Sequence, residues 1–219
     1  MNRNVATLPW IFWAVHCGGS TPLAESGAPD AAVDVGHDAL SVGMDEGDAD
    51  VQGTANGQTF SSREAMGVVN HLQTSDSSVP NLVTVAIPAN FNSTCDQFKQ
   101  DILKNTTHPN QAVLTIDVAA GAAPLTPGVY AVSNAPADAG AMAATGLFSA
   151  TDSNCNRTSE AAATAGSVTV TAVDAVAISG MFRLWFQNGD DLAGEFFAPF
   201  CYVFVPQTGI APPPAVCAR

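Results

Sequence analysis

The feature that constrains this chain most is a pair of alternating segments late in the sequence, residues 177–187 and 191–200. In the first, Ile178, Phe182, Leu184 and Phe186 fall on even positions, and Ser179, Met181, Arg183, Trp185 and Gln187 on odd ones. In the second, Leu192, Phe196 and Phe200 are even. Side chains alternate across a strand, so a period of two gives each segment one buried and one wetter face. The polar link between the segments predicts an antiparallel hairpin. A two-residue Asn188-Gly189 turn would set Asp191 opposite Phe186 and mix the faces. A three-residue loop, Asn188-Gly189-Asp190, keeps the apolar sets together. It pairs Phe186 with Leu192 and Phe182 with Phe196, and sets Arg183 opposite Glu195 as an opposite-charge pair.

The same kind of pattern recurs upstream. Val51 to Phe60 carries Asn56-Gly57 between β-prone segments, the strongest local hairpin signal, because both residues tolerate positive φ. Strands are expected at residues 82–87, ended by Pro88, and at 112–118, 128–132, 146–150 and 167–173; residues 61–80 are ambiguous. One short helix interrupts them. Thr94-Cys95-Asp96-Gln97 matches a capping box, and Phe98, Ile102 and Leu103 form an apolar stripe, which predicts a helix over about 95–104. Many short strands with one helix make an all-β fold, an antiparallel sandwich or barrel. The pattern does not choose between the two.

Four of the five cysteines, Cys95, Cys155, Cys201 and Cys217, fall in this region, and none forms a C-x-x-C pair. An even set in a Lys-poor β domain points to disulfides and an oxidising compartment; buried free thiols are the alternative. Four cysteines allow three connectivities. Cys201 and Cys217 flank a Pro-rich terminal loop, so the expected bridges are Cys201–Cys217 and Cys95–Cys155.

Upstream of the β region the charge is one-sided. No Lys or Arg occurs between Arg3 and Arg63, whereas Glu25, Asp30, Asp34, Asp38, Asp45, Glu46, Asp48 and Asp50 lie in that gap. Residues 17–50 carry no aromatic residue beyond Cys17 and no periodicity, so they read as a disordered, self-repelling tether. The spacing of its last acids is not that of a calcium loop, and no metal site is expected there. Residues 1–16 combine Arg3 with an apolar run over residues 5–15, too short for a membrane-spanning helix but of signal-peptide length. The expected organisation is a signal peptide over 1–16, a tether over 17–50 and a β domain over 51–219. With a net charge of -13 and no Lys/Arg stripe, nucleic acid is excluded as a partner. Anionic membranes are excluded too, except through a lipid anchor.

Cys17-Gly18-Gly19-Ser20 follows the apolar run at once. With the Asp/Ala-rich spacer and the Thr/Gly-rich β domain, this start resembles surface lipoproteins of the myxobacterial kind, a family with no assigned activity. The resemblance implies lipidation at Cys17, an outer-membrane or other cell-envelope location, and an all-β exported domain. It brings no catalytic residues. His16 and Ala14 stand where a lipobox has a small residue and, by preference, Leu. An ordinary signal peptide that leads to secretion, with Cys17 playing no part, is the alternative.

The sequence carries few chemical motifs. The histidines are His16, His37, His71 and His108, and no nucleophile-elbow, zinc-protease, phosphate-loop or dinucleotide motif accompanies them. His71 and His108 read as surface-loop residues, and Asp190 and Asp191 as turn formers rather than a hydrolytic pair. No cofactor is implied. What remains is the odd-numbered face of the last hairpin. Met181, Arg183, Trp185 and, across the hairpin, Phe197 are a candidate binding surface for a carbohydrate or peptide, unless a loop or second sheet covers them as core. The expected function is a non-enzymatic binding or structural domain of the cell envelope. The alternative is an extracytoplasmic hydrolase with an unrecognised site.

Overall fold

The structure, a computed structural model, describes residues 47–70, 79–89, 94–133, 142–203 and 216–218. Residues 1–46, where the signal segment, Cys17, His16, His37 and most of the tether are expected, and His71 lie outside the described residues. The strands are β1 Asp48–Ala55, β2 Gln58–Ser62, β3 Met66–Asn70, β4 Leu82–Ala89, β5 Thr106–Thr107, β6 Ala112–Ala119, β7 Gly128–Val132, β8 Ala143–Thr151, β9 Arg157–Val173, β10 Ala177–Phe186, β11 Asp191–Val203 and β12 Val216–Cys217, with helix α1 Cys95–Lys104 between β4 and β5. The fold is thus all-β with one short helix, as the sequence pattern requires.

The pairing closes on itself. β10 pairs with β9, β9 with β8, β8 with β6, β6 with β4, β4 with β3, β3 with β11, and β11 with β10 again. β7 wedges between the far halves of β9 and β8. The β1–β2 hairpin attaches to the first half of β11, and β3 takes over at Phe200–Val203. Closure of this kind leaves few free strand edges. The ladder is mixed rather than purely antiparallel, because β3–β11, β7–β8 and β12–β5 run parallel. Each parallel pair joins segments far apart in sequence or beyond a short loop's reach, which local patterning cannot reveal.

Alternation fills the interior. Val83, Val85 and Ile87 from β4, Leu114, Ile116 and Val118 from β6, and Ile178, Phe182, Leu184 and Phe186 from β10 are all buried in one cluster. Phe60 and Phe148 meet edge to face, 5.8 Å apart. Tyr130 is fully buried, and its hydroxyl donates to the Thr126 carbonyl at 2.8 Å, which satisfies it locally.

Several expectations shift. Asp48, Ala49 and Asp50, assigned above to the tether, open β1 and pair with Phe197, Phe196 and Glu195. Ala49 and Val51 point inward and the acids outward, a period of two that the acidic composition masks. β4 does not end at Pro88, which lies opposite Val113 of β6. The β3 ladder on the other side reaches only Ala86, and a residue without an N–H is tolerated where a strand has one ladder neighbour. Asn56 and Gly57 both take positive φ, 51° and 73°, and join β1 to β2 in the two-residue turn their pairing predicts.

Helix α1 starts at the expected cap. The Thr94 hydroxyl accepts from the Gln97 N–H, and Asn105 ends the helix in the left-handed region at φ 51°. Phe98 and Ile102 of its stripe are half-buried, whereas Leu103 is exposed. No helix residue is fully buried, so a covalent link replaces part of the packing.

That link corrects the disulfide pairing. The bridges are Cys95–Cys201 and Cys155–Cys217, not Cys201–Cys217 and Cys95–Cys155. Cys201 faces inward on β11 beneath the start of α1. Cys217 is carried to β5 by the parallel β12–β5 pairing, which leads it to Cys155 beside the Thr107 carbonyl. The two disulfides fit an extracytoplasmic protein. Among the described residues, no helix is long and apolar enough to cross a membrane.

Candidate binding surface

The final hairpin keeps its predicted faces but slides by two residues. Leu184 faces Leu192, Phe182 faces Gly194, Arg183 faces Ala193 and Met181 faces Glu195. The expected Phe186–Leu192, Phe182–Phe196 and Arg183–Glu195 pairs do not form. The loop still has three residues, but they are Gln187, Asn188 and Gly189. The Phe186 N–H bonds the Asp190 carbonyl and the Gly189 N–H bonds the Phe186 carbonyl. Gly189 sits at φ 88°, the left-handed position such a loop needs. Faces depend on parity alone, so a slip of two preserves them. Phe182 and Phe196 remain on one face, with ring centroids 6.4 Å apart. Beyond Pro199 the parity of β11 reverses: Cys201 and Val203 are buried, and Phe200 is half-buried instead of continuing the inward row.

Asp190 explains why the loop sits where it does. Its carboxylate accepts from the Gly57 N–H at 2.6 Å and from the Asn188 side-chain amide at 2.6 Å. The two hairpin tips are thereby tied together. The Gly57 N–H, then Asn188, hold the Asp190 carboxyl below the usual carboxylate range. Asp191 plays a different part, since it meets Arg183 at 3.1 Å. The adjacent acids are a tip anchor and an ion-pair partner.

The candidate surface residues come together on the outer face of β10 and β11. Met181 is 50% exposed, Trp185 41% and Phe197 42%, so among the described residues no loop or second sheet covers them as core. Register places them in rows: Ser179, Phe197 and Asp48; then Met181, Glu195 and Asp50; then Arg183, Ala193 and Gln52; then Trp185 and Asp191. The Arg183 guanidinium lies over the Trp185 ring, 5.3 Å from its centroid. Arg183 therefore bridges Trp185 and Asp191 and fixes the ring on an otherwise open sheet. Asp48, Asp50, Asp191 and Glu195 belong to the same surface and were not part of the candidate set. Extending the inside-outside alternation one strand further, to β1, is the signal that finds Asp48 and Asp50, whereas Asp191 and Glu195 already lie on the odd-numbered row of β11.

His108 is not a solvated loop residue. It is half-buried, and its Nε2 lies 2.8 Å from Asp101 Oδ2 across the helix end. Gln97 donates to the other Asp101 oxygen, and the His108 carbonyl accepts from the Thr151 hydroxyl. The pair fastens α1 to the segment that follows it. No three His, Cys, Asp or Glu side chains gather as a metal-binding group among the described residues.

No known protein family, no curated protein and no solved structure matches this chain.

Proposed function

We propose that the chain is an exported, non-enzymatic binding domain of the cell envelope, anchored through a lipid on Cys17, whose ligand docks on the outer face of β10 and β11. The observation that carries this reading is the exposure of Met181, Trp185 and Phe197 on one face of a well-packed sheet that its strand ladders close. Large apolar side chains grouped in the open are characteristic of contact surfaces. The Cys17-Gly18-Gly19-Ser20 start and the disulfides support the location. The test is sedimentation of the purified chain with isolated cell-envelope material. Trp185→Ala combined with Met181→Ser should lower the bound fraction severalfold with the melting temperature unchanged. Equal sedimentation of the two proteins would overturn the reading. Metabolic labelling with a fatty acid, lost in Cys17→Ala, tests the anchor.

The second reading, an extracytoplasmic hydrolase, has the His108–Asp101 pair in its favour. An ester- or glycoside-cleaving activity abolished by His108→Ala would support it.

A further inference from the structure

The binding face carries an unbalanced charge pattern that its apolar residues do not explain. In the sheet register Asp50 of β1 lies directly opposite Glu195 of β11, and Met181 lies on the other side of Glu195. Like charges opposed across an antiparallel pair destabilise the sheet. Asp48 stands in the neighbouring row, opposite Phe197. Among the described residues, Asp48, Asp50 and Glu195 make no ion pair, and the Arg183 charge is already matched by Asp191. An uncompensated acidic pair thus abuts two exposed apolar side chains, within about 5 Å between strands.

Resting on the surface reading above, we propose that the occupant of this face is a basic polypeptide segment in which Lys or Arg alternates with apolar residues. Its cations fit between Asp48, Asp50 and Glu195 and relieve their mutual repulsion, while its apolar side chains cover Met181 and Phe197. A second copy of this chain is disfavoured by its own net charge of -13, and the residues upstream of β1 are themselves acidic. A neutral saccharide would use Trp185 but leave the acidic pair unmet.

The experiment titrates the full chain with three peptides of alternating composition, Lys–Leu, Ser–Leu and Glu–Leu, and with a neutral oligosaccharide. The Lys–Leu peptide should bind, and its affinity should fall as added salt shortens the screening length below about 10 Å. The Ser–Leu and Glu–Leu peptides should not bind measurably. Asp50→Asn with Glu195→Gln should weaken Lys–Leu binding roughly tenfold, as should Met181→Ser with Phe197→Ser. The charge-matched control Asp96→Asn with Glu160→Gln, away from this face, should leave it unchanged. An equal loss in the control would show attraction to net charge alone and overturn the proposal. So would no Lys–Leu binding, or equal binding of Ser–Leu. Oligosaccharide binding that Trp185→Ala abolishes would overturn the basic partner while leaving the binding surface intact. Binding of any probe that is indifferent to every substitution on this face would overturn both.

Discussion

Asp117 and Asp190 are carboxylates that their surroundings push in opposite directions. Asp117 sits on the outer side of β6, between Thr84 of β4 and Thr145 of β8, and both hydroxyls donate to it. Burial raises its carboxyl above the usual range, and the two hydroxyls only partly offset that. A carboxyl whose folded value exceeds its unfolded value contributes stability fully present below the unfolded value of about 3.9. That contribution is lost as pH rises through the folded value. Asp117→Asn keeps an acceptor and a donor for the threonines without the charge. Its melting temperature should exceed that of the parent chain at pH 7, and the gain should vanish near pH 3. Asp190 has the reverse sign: its lowered carboxyl contributes stability above the unfolded value and loses it as pH falls through the folded one. Asp190→Asn should therefore lower the melting temperature at pH 7 and change it less in acid. Thermal scans of both variants at the two pH values check this; parallel curves for either variant would contradict its assignment.

At the scale of an element, the β10–β11 hairpin separates what local pattern specifies from what it does not. The loop position follows from Asp190, which the Gly57 N–H draws to the β1–β2 turn, a contact between residues far apart in sequence. Arg183 consequently pairs with Asp191 rather than Glu195. A double-mutant cycle between Arg183 and Asp191 should give a coupling of about 0.2–1 kcal/mol, as an exposed pair does. The same cycle between Arg183 and Glu195 should give none; the opposite result would restore the other register. Faces, turns and caps were legible because each is local: Asn56-Gly57, the Thr94 cap and the even–odd rows of β10 need only neighbouring residues. The surface residues Met181, Arg183, Trp185 and Phe197 were legible for the same reason. Strand β3, the first half of β9 and the acids of β1 were not. Ala, Gly, Ser and Thr dominate β9, so its inward row has little hydrophobic contrast, and its strand state comes from ladders on both sides. Met66 to Asn70 forms a strand because β4 and the end of β11 flank it.

For the whole molecule, the closed circuit of ladders and the two disulfides do separate jobs. The circuit runs through β3, β4, β6, β8, β9, β10 and β11, and it is formed without α1, β5 or β12. The bridges fasten those remaining pieces: Cys95–Cys201 ties the start of α1 to β11, and Cys155–Cys217 ties the β5–β12 pair to the turn before β9. The bridges join residues 106 and 62 positions apart. In the chain-entropy model, loops of that length give each about 4–5 kcal/mol through restriction of the unfolded chain. Replacing Cys155 and Cys217 together by Ser should therefore lower unfolding free energy by up to about 4 kcal/mol. Its structural effect should stay local. Amide protection should disappear at Thr107 and Val216, where the β5–β12 ladder loses its staple, and persist in β6, β8, β10 and β11. Non-reducing peptide mapping of the parent chain should join Cys95 to Cys201 and Cys155 to Cys217. A peptide linking Cys201 to Cys217 would restore the terminal-loop staple in place of the β5–β12 one. Protection lost throughout the circuit would show that the sheet depends on its bridges rather than on its own closed ladder and core.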